Sequence, residues 1–471
     1  MRGVSKKKKK KKKKAGPAAR PANRREEAGR TAPSPAAAAA PRDFSGGIAA
    51  ALLAVAFAGA ALAFDSGADA SFDAPKRLLV LFAVAFAALA AFGFVPWSLP
   101  AGRGRLAGWR DRRLPALLAA FALLAAVVSA AASPRRGVAF DSLRSILLMA
   151  ALLPLGASRA VARHRGFLLA TFIAACGIDA AVSLLQARHL YQPFPLITQG
   201  DREATGAFAG NVGYLALGLA LAAVAALAVA LTPRARGARV AAAGGFLLFS
   251  AALLVNRNLT SFSALAAGAA VLLFGLFGRR ALLPLAAALL LVFAGMFAYR
   301  PMRYRAEAVV RSARAGDWDA LLSYRLAPWG AALRMARERP LTGYGPGTFG
   351  AEYVTHRLDA EIASRRRFVS PLATSTYGEA HCDYLQPFAE AGVPAGLAAI
   401  AAAALLLAGL ARVVRSARAG ERVEALLLLA LLSAGAVAAL TWFPLQRPIT
   451  AIPLLLAAGR AWRLTAEVPS A

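Results

Sequence analysis

The residues best able to do chemistry gather in one hydrophilic loop, about residues 300–388, that interrupts an otherwise apolar chain. Tyr324-Arg325-Leu326-Ala327-Pro328-Trp329 opens the informative part, and Pro340-Leu341-Thr342-Gly343-Tyr344-Gly345-Pro346-Gly347-Thr348-Phe349 follows. His381-Cys382-Asp383-Tyr384-Leu385-Gln386 and Glu390-Ala391-Gly392 close it. Histidine, with an unperturbed pKa of about 6.5, exchanges protons near working pH. Arginine presents a planar fork that holds phosphate oxygens and stays charged at any physiological pH. His381, Arg325 and Arg257, the last at the end of an apolar segment outside the loop, are the candidates of these types. Each has a structural alternative. A lone loop histidine can be a satisfied surface residue, and Arg257 can snorkel to lipid headgroups. Arg325 can pair with Asp317 or Asp319, and Tyr384, Gln386 and Glu390 can cap the following helix as readily as orient an acceptor. Four histidines without a clustered Cys, His and acid pattern predict no bound metal or other cofactor.

Apolar helices must position these residues. A hydrophobic content of 58% over 471 residues and a mean hydropathy of +0.53 exceed what a water-soluble core requires. Stretches near the ~20 residues that cross a ~30 Å hydrocarbon layer recur along the chain. Hydropathy predicts an all-α polytopic integral membrane protein of about twelve spans with one large helical loop. A disordered tail covers 1–45, spans one to nine lie in 46–299, the loop occupies 300–388, and spans ten to twelve fill 389–471. The fourth, ninth and twelfth spans are expected at 145–161, 281–299 and 449–462. Asp179 falls inside the fifth span, where a carboxylate must face the bundle interior and find a partner.

Short loops rich in arginine alternate with poorer ones, which assigns the arginine-rich side and both termini to the cytoplasm and the large loop to the outside. The tail carries nine consecutive lysines, Lys6 to Lys14. It reads as a topology anchor that touches anionic headgroups rather than as a nucleic-acid binder. The net charge of +32 therefore says little about substrate. Two cysteines exclude a disulfide framework. Gly345 to Gly350 satisfies a Gly-x-Gly-x-x-Gly pattern, but without a surrounding βαβ unit it reads as a rigid turn.

The loop motifs closely resemble those of the O-antigen ligase and polymerase family of bacterial envelope glycosyltransferases. The resemblance extends to Thr205-Gly206-Ala207-Phe208 with Gly210-Asn211, to Asn256-Arg257, and to Phe443-Pro444-Leu445-Gln446-Arg447-Pro448, covering about residues 200–450. Cys382 stands where the family usually has Asn and Asn256 where it has Ser, and Ala395 adds a residue between Gly392 and Gly396.

This resemblance implies transfer of a glycan from an undecaprenyl-diphosphate carrier at the periplasmic face of the inner membrane. The acceptor hydroxyl needs a base and the diphosphate needs positive charge. His381 is the implied base, contributing roughly 10²–10⁴ in rate, and Arg257 and Arg325 are the implied diphosphate ligands. Tyr384, Gln386 and Glu390 are candidates for orienting the acceptor or the loop. The family's reaction inverts the anomeric centre without a metal. The favoured reading is an O-antigen ligase that uses the lipid A core as acceptor. A polymerase joining lipid-linked repeats is the alternative within the family. From other classes come a lipid-linked glycan flippase and a structural scaffold for envelope synthesis.

Overall fold

The computed structural model describes residues 44–65, 71–92, 113–192, 205–283, 300–365 and 377–467, with isolated positions between 284 and 299. The Lys-rich tail up to residue 43, most of the ninth span expected at 281–299, and loop residues 366–376 lie outside the described residues.

Among the described residues ten helices are long and apolar enough to cross a membrane. The chain is a polytopic all-α membrane protein. In hydrocarbon every backbone N–H and C=O needs an internal partner, and a helix provides one for each. The first eight are α1 (Phe44–Leu62), α2 (Asp73–Phe92), α3 (Leu114–Ala132), α4 (Arg136–Ala157), α5 (Arg159–Ala187), α6 (Val212–Leu231), α7 (Arg236–Asn256) and α8 (Leu259–Phe277). Loop helices follow: α9 (Arg300–Ala315), α10 (Leu326–Glu338), α11 (Phe349–Ser364) and the short α12 (Gln386–Ala391). The chain closes with α13 (Val393–Ser416), α14 (Ala419–Ala439) and α15 (Pro448–Glu467).

α4 starts nine residues before the expected position. Arg136, Asp141 and Arg144 lower its local hydropathy, yet the helix continues through them and the last two pair. Asp141 takes Arg144 at 2.7 Å and Arg77 of α2 at 3.2 Å. Pro154, which cannot donate to the carbonyl of Ala150, interrupts the helix near Ala151. α15 stands where the twelfth span was expected. Arg460 and Arg463 in its last turns make it less apolar than the ten, and Arg460 binds Glu424 of α14 at 2.7 Å.

α6 is apolar on every side and is the centre of the bundle, with an unbroken buried run from Leu215 to Ala226. It packs against α7, α8 and α14, while α1 packs on α2 and α5, α3 on α13, and α4 on α15. The α4–α15 contact depends on glycine. A Cβ at Gly459 would lie 1.9 Å from the Leu153 carbonyl oxygen, and one at Gly156 would lie 2.3 Å from that of Leu456. Asp179 faces the interior as expected: it is fully buried and accepts a bond from Phe208 N at 3.0 Å. Lys76 donates to the carbonyls of Ala63 and of Phe208 and supplies the opposing charge.

Candidate functional site

Two glycine turns interlock to fix the loop on the bundle. Gly343 (φ +65°) and Gly392 (φ +86°) adopt left-handed backbones, and a Cβ on either would collide with the other strand of the crossing, at 2.4 Å from Glu390 C or 2.3 Å from Leu341 O. The crossing is tied by Tyr344 N to Ala389 O (3.0 Å), Gly345 N to Glu390 O (2.8 Å) and Val393 N to Pro340 O (2.7 Å). Ser129 and Ser133 at the end of α3 donate to the carbonyls of Glu390 and Tyr344, each at 2.6 Å. The Gly-x-Gly-x-x-Gly segment is thus a packing turn.

His381 lies between the two segments of this crossing, in a left-handed conformation (φ 54°). Its Nδ1 lies 3.0 Å from the Glu379 carbonyl oxygen, which can only accept, so Nδ1 carries the proton and Nε2 the lone pair. Aromatic edges hold the ring: Tyr377, Trp442 and Phe443 lie 5.1, 5.2 and 4.9 Å away, all nearly perpendicular. Trp442 and Phe443 are themselves stacked at 4.8 Å. Guanidinium groups flank this wall, with Arg325 5.8 Å over Trp442 and Arg447 5.1 Å over Phe443. Tyr377 donates to the Tyr324 carbonyl at 3.0 Å and so fixes the turn that carries Arg325. Burial pushes His381 down to about 4; the bond to the Glu379 carbonyl opposes this, and the charges of Arg325 and Arg447 add to it.

Arg447 comes from the turn between α14 and α15. It stacks 4.1 Å over Tyr214 and pairs with Glu379 and, at 3.5 Å, with Asp73. Burial raises the Glu379 carboxyl against the pull of Arg447.

The polar atoms of the closing motif mainly serve the loop itself. Tyr384 donates to Ala436 O at 2.9 Å. Gln386 Oε1 accepts from Ala380 N and from Gln446 Nε2, both at 2.9 Å, while its Nε2 donates to Glu390 at 3.1 Å. Glu390 also accepts from Phe349 N at 3.2 Å. Asp383 accepts from Leu445 N at 2.8 Å and Gln446 Nε2 at 3.2 Å, joining the loop to the same late turn. Burial pushes both Asp383 and Glu390 up to about 7 in spite of these bonds.

Arg257 is the left-handed C-cap of α7 (φ 54°). Asn256, beside it, accepts from Thr205 at 3.2 Å and donates to Ser183 at 3.4 Å, which binds the cap to α5 and to the Thr205–Asn211 turn. Arg257 Nε is buried and meets no hydrogen-bond partner among the described residues. Thr260 and Thr441, 2.9 Å apart, connect this corner to the Trp442 turn. The structure therefore brings Arg325 and His381 into one cluster, and the corner that carries Arg257 is tied to the Trp442 turn through Thr260 and Thr441. Asp317 and Asp319 accept backbone bonds from Ala320 and Leu326.

Arg447, Glu379 and Trp442 are members of the cluster that sequence reasoning did not select. Arg447 sits in the late turn whose motif was recognised, so its signal was present without a role attached. Glu379 and Asp73 carry no sequence signal; only folding brings them to Arg447.

The family model described as O-antigen ligase matches residues 221–400. The match includes Arg257, Arg325, His381, Tyr384, Gln386 and Glu390 and ends before Trp442 and Arg447. A search of the curated proteins finds no significant match.

Proposed function

Since the chain belongs to the O-antigen ligase/polymerase family through residues 221–400, we propose that it moves a glycan from undecaprenyl diphosphate to the sugar core of lipid A at the periplasmic face of the inner membrane. Membership makes it a membrane protein of the bacterial envelope that acts on lipid-linked polysaccharide. The finer reading rests on one observation: a neutral histidine, with its Nδ1 proton spent on a backbone carbonyl, lies in the field of two guanidinium groups, those of Arg325 and Arg447.

In this reading Arg325 and Arg447, with Arg257 beside them, receive the donor's diphosphate. The acceptor hydroxyl gives its proton to His381 Nε2 as its oxygen bonds to the anomeric carbon. The bond from that carbon to the diphosphate oxygen breaks on the opposite face, with inversion, and the electron pair leaves on undecaprenyl diphosphate, where the arginines stabilise it. The residues named supply both the base and the charge, so no metal enters these steps. Bound diphosphate also offsets the two positive charges that hold His381 down, so the base strengthens when the donor is in place. Tyr384, Gln386 and Glu390 keep the His381 turn in register with α12 and the late turn.

The test is reconstitution with a lipid-linked glycan and either lipid A core or a second lipid-linked repeat. Wild type should transfer to core, His381→Ala should lose roughly 10²–10⁴ in rate, and Arg447→Lys should weaken donor use because an ammonium cannot replace a stacked, bidentate fork. Chain lengthening with the second repeat would make the protein a polymerase. Movement of intact donor across the membrane without bond cleavage would make it a flippase. Unchanged transfer by His381→Ala would remove that residue as the base.

A further inference from the structure

Arg447 is held in two separate ways. Its guanidinium lies 4.1 Å from the centre of the Tyr214 ring and 5.1 Å from that of Phe443, and these aromatic faces hold the cation without any anion. Two carboxylates pair with it as well. Nη2 donates to Glu379 Oε1, with both side chains largely buried, while Nη1 reaches Asp73 Oδ2 at 3.5 Å and the Asp73 side chain is 61% exposed. Glu379 in turn does not need Arg447 to keep its place. Tyr377 donates to Tyr324 O on one side of it and Ala380 N to Gln386 Oε1 on the other, so the turn is fixed without the Glu379 carboxylate. The ion pair therefore contributes charge more than position.

Glycosyl transfer, the reading on which this inference rests, presents Arg447 with two anions in succession. The donor is a diphosphate diester with two negative charges. Cleavage leaves the electron pair on the departing oxygen, so the carrier product is a monoester with more negative charge than the donor, and it binds the same guanidinium groups more tightly. Attraction is thus greatest at the step where the carrier must leave. A carboxylate tethered beside Arg447 competes for it at the high effective concentration of an intramolecular ligand. The surroundings of Glu379 favour its return. Burial and the Asp73 charge both disfavour a free carboxylate there, and Arg447 is the cation that opposes them.

We propose that Glu379 is the counter-ion that the donor's diphosphate displaces from Arg447, and that its return expels the carrier product. Asp73 assists from the exposed side of the same guanidinium. The sign of the effect separates this role from a structural one. Loss of a structural pair loosens Arg447 and weakens diphosphate binding, whereas loss of a competing counter-ion strengthens it.

The experiment is titration of the purified full chain with undecaprenyl diphosphate, together with steady-state glycan transfer. Glu379→Gln should bind the carrier roughly tenfold more tightly, the scale of one charge-assisted hydrogen bond. Its kcat and donor KM should fall together as release slows. Asp73→Asn should shift binding in the same sense by less, because its pair is longer and more exposed. Glu352→Gln, which breaks the loop's ion pair with Arg135, should match wild type. Weaker or unchanged carrier binding by a folded Glu379→Gln would overturn the exchange and leave the glycosyl-transfer reading in place. If that variant does not fold, weaker or unchanged binding by Asp73→Asn overturns it by the same sign. A wild type that neither binds undecaprenyl diphosphate nor transfers glycan would overturn both.

Discussion

His381 Nε2 owes its availability to a carbonyl: the Glu379 oxygen takes the Nδ1 proton and leaves the other nitrogen as the acceptor. Its low affinity for protons gives a pH signature. With a folded value of about 4, the free protein keeps His381 neutral throughout the physiological range. The acid limb of kcat/KM should therefore lie near pH 4 rather than near the ordinary 6.5. Bound diphosphate raises the imidazole's proton affinity, so the acid limb of kcat should sit at higher pH than that of kcat/KM. A pH–rate series for both constants checks this, and coincident limbs near 6.5 would mean that the ring is solvated in the working protein. Arg447 matters at this scale because it reaches the same aromatic wall as Arg325.

At the scale of elements, the crossing of the Pro340–Gly347 turn with α12 fixes where His381 stands. Glu390 is its polar knot, accepting from Phe349 N and Gln386 Nε2, and its carboxyl sits at about 7 against about 4.3 in an unfolded chain. A folded value above the unfolded one adds stability that is complete below about pH 4 and is lost as pH rises through about 7. Glu390→Gln keeps the acceptor oxygen and removes the ionisation. The variant should be the more stable of the two above neutrality, by an amount that grows between pH 5 and 8 to on the order of 3 kcal/mol. Thermal unfolding across that range reads the difference, and a gap that does not change with pH would show that Glu390 ionises normally. Asp383, raised to about 7 mainly by burial, also feels the Glu390 charge, so Glu390→Gln relieves part of its rise and acts in the same direction.

At the scale of the whole molecule, the site is an end of the bundle. The caps of α2, α3, α5, α7 and α14 and the loop between α9 and α13 all meet there. Packing among small residues sets that convergence. α15, whose N-terminus carries Arg447, is held to α4 by the paired close approaches of Gly156 and Gly459. Gly459→Val should push α15 off α4, costing about 1–3 kcal/mol or more, lowering Tm and weakening donor use together through Arg447. Gly244→Val on α7, where a Cβ meets nothing within 4 Å, should change neither. Equal Tm values for the two variants would mean that the α4–α15 contact does not bear on the site.

The sequence by itself determined the class of the protein, because crossing hydrocarbon needs long apolar helices whatever packs against them. It also marked the loop motifs, since glycines at left-handed turns and ordered His, Tyr and Gln residues leave a local signature. It misplaced the start of α4, where Arg136, Asp141 and Arg144 mask a helix whose Asp141 pairs with Arg77 of α2 and with Arg144. Only the tertiary structure decided which cations act on His381. Arg325 and Arg447 lie on separate elements, and Glu379 meets Asp73 across 306 positions only because both bind Arg447. Such contacts depend on how helices pack, and side-chain packing between distant segments writes no periodicity into the chain.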